Sequence, residues 1–150
     1  MLETMIGAAV EVVAVTDRDR ELTVARPSRS VSAVREAARV PARWSAWERC
    51  VALRESHRNP KARNPRSSAQ GTYQFLDRLW RDSLAAQVAA RLRDNGLPRK
   101  TARAVDNHLA SIEIARWPAV YQTIGFLEVN ARGGAYHWRL SGSRCNHLAP

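Results

Sequence analysis

Lysine is nearly missing from this chain: Lys61 and Lys100 are the only two, and the rest of the 24 basic residues are arginine. Acids are also scarce, 14 against those 24, for a formal net charge of +10. Such a surface is drawn to polyanions, whether nucleic acid, anionic lipid or an anionic bacterial wall, and charge alone selects none of them. No run approaches the ~18–20 consecutive apolar residues of a membrane span, so no spanning helix is expected. Met1–Val15 is mildly apolar, but Glu3 and Glu11 interrupt it and no basic stretch precedes it. A standard signal peptide is therefore not expected, and a target outside the cytoplasm would be reached by another route, on a virion or through lysis. Cysteine is limited to Cys50 and Cys145. There is no CxxC and no Cys/His cluster at zinc spacing, so neither metal nor cofactor is expected, and His57, His108, His137 and His147 are scattered. The two cysteines form either a disulfide, which would close a long loop and add roughly 4–5 kcal/mol, or two buried thiols.

The 150 residues, 45% of them apolar and 25% charged, suffice for one domain with a real core. Residues 1–42 differ from the rest and read as an appendage or linker, partly disordered. Val10–Val15 and Glu21–Ala25 are short β-favouring runs around Asp17–Arg20, the pattern of a hairpin. Pro27–Ser30 resembles a linker, and Val31–Val40 a short helix ending before Pro41. From Trp44 a helical period begins: Trp44, Trp47 and Val51 mark an apolar stripe that brings Glu55 to the helix's C-terminal end. Asn59-Pro60 and Asn64-Pro65 forbid its continuation. Gly71 permits a tight turn, and Thr72–Leu76 reads as extended. Asp77 reads as the N-cap of a second helix through Leu92 or Arg93, with Leu79, Trp80, Leu84, Val88 and Leu92 as its apolar stripe. A third helix is expected over Thr101–Ala115 and a fourth over Ala119–Val129, followed by a tail from Ala135. The whole is an α+β fold, predominantly α, with residues 43–150 as its domain.

The stretch with most chemistry is Arg54-Glu55-Ser56-His57, followed by Ser67-Ser68-Ala69-Gln70-Gly71-Thr72-Tyr73-Gln74-Phe75-Leu76. No acid lies between Glu55 and Asp77, so one carboxyl stands alone before a small-residue turn. Cleavage of a glycosidic bond needs a carboxylic acid whose pKa is raised toward about 6 by apolar neighbours. Val51, Leu53 and the nearby tryptophans qualify, provided that Arg54 and Arg58 face outward. Ser67, Ser68 and Gly71 supply small side chains and backbone amides where a sugar must approach. Tyr73 offers a ring face and a hydroxyl, and Gln74 a donor and an acceptor. Phe75 and Leu76 read as core.

Glu55-Ser56 followed by Ser67–Gln74 resembles the ES…S-G-A-x-G-L-M-Q pattern of soluble lytic transglycosylases. Gly71-Thr72-Tyr73-Gln74-Phe75 with Trp80 is similar to phage endolysins and tail-associated wall-degrading enzymes, and Trp47–Ser56 to resuscitation-promoting factors. The resemblance covers residues 44–80; Ser68 replaces the usual glycine, and Thr72-Tyr73 the Leu-Met pair. It implies a lysozyme-like fold, bacterial peptidoglycan glycan strands as substrate, and phage virion or tail proteins as possible partners. It also implies an extracellular, wall- or virion-associated location. Glu55 is then the acid/base, with Ser67, Ser68, Gly71, Tyr73 and Gln74 lining the glycan cleft.

No obvious second carboxylate follows Glu55, which fits a lytic transglycosylase, where the substrate's own 6-hydroxyl attacks and leaves a 1,6-anhydro product. A hydrolytic muramidase needs a second carboxylate, with Asp77 the leading candidate. Two other classes stand beside the enzyme: a non-catalytic wall-binding or virion structural protein, and a basic nucleic-acid binder, for which no reader motif is present.

Overall fold

The computed structural model describes residues 29–140 and 142–150. The hairpin expected within residues 10–25 lies outside them. Five α-helices are present among the described residues: α1 (Arg29–Ala37), α2 (Ala42–Ser56), α3 (Asp77–Asp94), α4 (Arg99–Ser111) and α5 (Ala119–Ala131). Between α2 and α3 lie two short strands, β1 (Ala69–Gln70) and β2 (Phe75–Leu76), and three short 3-10 turns cover 114–116, 134–138 and 146–148. The molecule is thus mostly helical with a small antiparallel element, an α+β arrangement dominated by helix.

Prolines set three of the helix starts. Pro41, Pro98 and Pro118 each precede a helix in extended backbone, and their carbonyls accept from Trp44, Ala102 and Tyr121 N–H. None of these helices has a side-chain cap. A fixed proline φ therefore substitutes for the usual Ser/Asp signal, with tertiary packing stabilising the helix.

Helix α3 is the central element. Leu84, Ala85, Val88 and Leu92 are all buried along one face, against α4 residues Val105 and Leu109 and α5 residues Ile124, Phe126 and Leu127. Gly125 of α5 lies where a Cβ would meet Leu84 Cγ and both its methyls at 3.1–3.2 Å, so the helices approach closely there. Arg91 of α3 ties two more elements together, donating to Ala37 O (2.6 Å) and to Glu128 Oε1 (3.0 Å).

Several expectations require correction. Leu79, assigned to the apolar stripe of α3, is 74% exposed; it is three residues into the helix, where the solvent face begins. Leu76 takes the N-cap position of α3, and Asp77 is its first residue, with its side chain used elsewhere. The third helix runs Arg99–Ser111 and then breaks, because Ile112 is extended, before the 3-10 turn at 114–116. The first helix begins at Arg29, inside the stretch read as linker, and buries Val31, Ala33, Val34 and Ala37. Since Ala33, Val34 and Ala37 join the main core, the folded body reaches back beyond the boundary placed at 42/43.

Candidate active site

Helix α2 buries Trp44, Trp47, Val51 and Ala52. Trp47, wholly buried, donates its indole N–H to Asn130 Oδ1 of α5 (3.0 Å), while Asn130 Nδ2 donates to Phe126 O. The helix closes on His57, whose N–H bonds Leu53 O, while Arg58 N–H reaches back to Ala52 O. That double closure normally has glycine at its left-handed position. Here two consecutive side-chain-bearing residues adopt it, His57 at φ 53° and Arg58 at φ 64°. Gln74 at φ 54° is the third non-glycine left-handed residue among those described. His57 and Arg58 directly follow the Glu55 segment, and Gln74 lies two residues past Thr72, whose carbonyl accepts from Ser56 Oγ, so backbone strain is concentrated at the two ends of this turn.

The strap 57–76 is fastened from behind by buried polar groups. Gln122 of α5 is fully buried. Its Oε1 accepts Thr72 N–H (2.7 Å), and its Nε2 lies 3.0 Å from each of the carbonyls of Pro60, Ile114 and Trp117. Gly71, at φ 79°, passes so close that a Cβ would meet Gln122 Oε1 at 2.5 Å. Gln70 Oε1 accepts Ala115 N–H, and Ser56 Oγ donates to Thr72 O (2.8 Å). The strands pair Ala69 with Leu76 and Gln70 with Phe75. The turn after Glu55 is therefore a rigid loop, set by α5 and the 114–117 segment.

Glu55 itself is half-buried, its side chain 20% exposed. The condition that Arg54 face outward is not met. Arg54 Nε and Nη2 both donate to Glu55 Oε1 (2.9 and 2.6 Å), while Nη1 reaches Ser143 Oγ (2.5 Å) and Nη2 Trp138 O (2.8 Å). The C-terminal tail thus holds one cation against one oxygen of the carboxylate, and Oε2 has no partner among the described residues. Arg58 is exposed, as required.

The other expected site residues divide. Ser67 is exposed and Ser68 half-buried; Ser67 Oγ accepts Ala69 N–H. Gln74 is half-buried and donates to Gly71 O. Tyr73, expected to offer a ring face, is 1% exposed, with its ring stacked on Phe126 at 4.4 Å. It packs as core and presents no open face to a sugar. Its hydroxyl lies 2.7 Å from Glu48 Oε1 and 3.1 Å from Thr123 Oγ1. Burial raises its pKa above the usual phenol range, with the Glu48 charge adding to the effect, so it remains a donor at any working pH. Asp77 is buried, with both oxygens on Arg81 and Oδ1 also accepting Ile114 N–H (2.8 Å). Committed to those partners, it fastens α3 to the 114–116 turn.

Glu48 escaped the reading of the sequence, which weighed only acids that follow Glu55. Yet it precedes Glu55 by seven residues, two turns, and so projects from the same face of α2, about 10 Å away along the axis. That spacing was the available signal. Cys50 and Cys145 are joined, Cα–Cα 5.6 Å, pinning the tail to α2. No group of three or more His, Cys, Asp and Glu among the described residues is placed to hold a metal, and none of the described helices is long and apolar enough to cross a membrane.

No protein-family model matches this chain, and no curated protein or solved structure matches it significantly.

Proposed function

We propose that the protein is a peptidoglycan-degrading lytic transglycosylase of lysozyme-like type, cleaving the MurNAc–GlcNAc bond with Glu55 as single general acid/base. The observation that carries this reading is the concentration of strained backbone at His57, Arg58 and Gln74 around one half-buried carboxyl. Strain persists where surrounding structure over-determines it, and such places are typically sites of function. The motif likeness of residues 44–80 supplies the substrate class, and the +10 charge suits an anionic wall.

In this mechanism Glu55 donates a proton to the leaving oxygen, then removes one from the sugar's 6-hydroxyl as that oxygen closes on the anomeric carbon. Substrate displaces Arg54 from Oε1 before the first step, because a cation held on the carboxyl opposes the protonated form that step needs. Glu55→Gln is expected to lower release of soluble fragments from purified walls by at least about a hundredfold, the lower range of a positioned acid/base. Mass spectrometry of the wild-type digest should show 1,6-anhydro ends. Full turnover by Glu55→Gln would remove this reading.

One observation favours a second reading, a hydrolytic muramidase: Glu48 on the same face of α2, held by the Tyr73 hydroxyl. Inverting hydrolysis needs two carboxyls roughly 6.5–9.5 Å apart, and the axial spacing of about 10 Å sits just beyond that range, so this reading needs the two side chains to lean toward each other. Reducing-end products that disappear in Glu48→Gln would select it over the transglycosylase.

A further inference from the structure

Resting on the reading of Glu55 as acid/base, we propose that the C-terminal tail is autoinhibitory: its contacts at Trp138 and Ser143 clamp Arg54 onto Glu55 and keep that carboxyl from acting. Successive residues on a helix point in different directions and do not face each other. Arg54 and Glu55 are such neighbours in the last turn of α2, so the helix by itself gives them no reason to pair. Yet all three guanidinium nitrogens of Arg54 are engaged. Of its four hydrogen bonds, two go to Glu55 Oε1 and two to the tail, at Trp138 O and Ser143 Oγ. The tail supplies the two acceptors that fix the guanidinium where it meets the carboxylate.

Those acceptors are themselves held. Trp138 is buried, donates its indole N–H to Tyr73 O (2.9 Å) and packs on Phe126 at 4.8 Å. Ser143 Oγ also accepts Cys145 N–H (3.2 Å), and Cys145 is bonded to Cys50. Cys50 precedes Arg54 by four residues, which places the two on one face of α2. The tail is thus anchored beside the arginine that it holds.

The consequence for the chemistry follows from charge. A cation forked onto Oε1 favours the charged carboxylate, whereas the first step needs a carboxyl carrying a proton. The two oxygens share one charge, so the cation acts on Oε2 as well. The Arg54 and Glu55 side chains are only 23% and 20% exposed, so solvent screens the pair less than it would at the surface. Without the two tail contacts Arg54 can swing away, and Glu55 is free to take up its proton.

The test compares the full-length wild type with Ser143→Ala, Arg54→Gln and Glu55→Gln by two readouts. The first is the initial rate of fragment release from purified walls. Arg54→Gln should raise it about tenfold, the lower end for one hydrogen bond to a charged group, and Ser143→Ala by a smaller factor. The second is labelling of carboxyls with a water-soluble carbodiimide and glycinamide, located by peptide mass spectrometry, which needs no enzymatic activity. Glu55 should label about tenfold faster in Arg54→Gln, by the same argument, and less strongly faster in Ser143→Ala. The exposed Asp94 should label at the wild-type rate in both. Thermal melts check that the variants fold. Faster labelling of Glu55 with walls left intact by every variant would remove the enzymatic reading and uphold the tail's hold on Glu55. Unchanged labelling of Glu55 in both variants would overturn the proposal. So would cleavage by both at or below the wild-type rate while Glu55→Gln is inactive.

Discussion

Gln122 does more structural work than any residue of the motif. One carboxamide accepts from the turn backbone at Thr72 and lies within donor distance of three carbonyls on two other segments. Gln122→Leu keeps the size but leaves Thr72 N–H and three carbonyls without their partner. At about 1–3 kcal/mol per buried orphan, partly relieved by water, a loss of about 3 kcal/mol is expected in urea unfolding. Tyr73→Phe is milder. It keeps the stack on Phe126 and forfeits only the contacts to Glu48 and Thr123, for about 1–2 kcal/mol. A wall-cleavage rate that falls much further than stability would tie Glu48 to the chemistry. His137 is the residue to follow with pH. Although His137 is exposed, partial desolvation against Trp80 and Tyr136 lowers its pKa below the ordinary 6.5, so the unfolded chain takes up a proton slightly more readily than the folded one and the effect on stability is small. Stability is then full above about 6.5 and falls as pH drops toward the folded value. His137→Gln should flatten that part of the stability–pH curve.

At the level of elements, the closure of α2 and the tail are the informative parts. His57 and Arg58 hold left-handed backbone without being glycine. His57→Gly is expected to raise stability by about 1 kcal/mol, the strain of a side chain there less the added freedom of the unfolded chain. If it also lowers cleavage, the strain serves to position Glu55. The tail is joined to α2 twice, by Cys50–Cys145 and by Arg54 through Trp138 O and Ser143 Oγ. The disulfide spans 95 residues, a loop for which the chain-entropy model gives about 4–5 kcal/mol. Thermal melts with and without reductant should show a loss of that order. The Cys50→Ser/Cys145→Ser pair should match the reduced protein. A reduced chain with an unchanged melting point would mean that core packing alone retains the tail.

For the molecule as a whole, the arginine-rich surface should govern encounter with the wall. Binding to purified walls is expected to weaken as salt rises from low to physiological strength, since exposed charges are screened beyond ~8–10 Å there. The sugar-specific part should persist. The strong feature of the architecture is that α5 borders both the turn and the tail, while α2 carries Glu55 itself. The face of α5 bearing Gln122 and Thr123 braces the turn behind Glu55, while its Phe126 packs on Trp138 of the tail.

Much of this could be read from the chain alone, and the rest could not, for definite reasons. Trp44, Trp47 and Val51 at helical spacing, the Asn-Pro pairs after Glu55, and Leu84, Val88 and Leu92 determined α2, its end and the buried face of α3, because periodicity and proline sterics act locally. They also left Glu55 as a lone carboxyl ahead of a glycine turn. Only the tertiary structure decided that Arg54 turns inward, that Tyr73 is core and that Asp77 is a clamp. Each of these depends on a partner 4 to 89 positions away in the chain, such as Arg81 and Ile114 for Asp77 or Trp138 and Ser143 for Arg54. A side chain's surroundings are set by which segments meet. Spacing along one segment tells which face a residue is on, and not what waits opposite it.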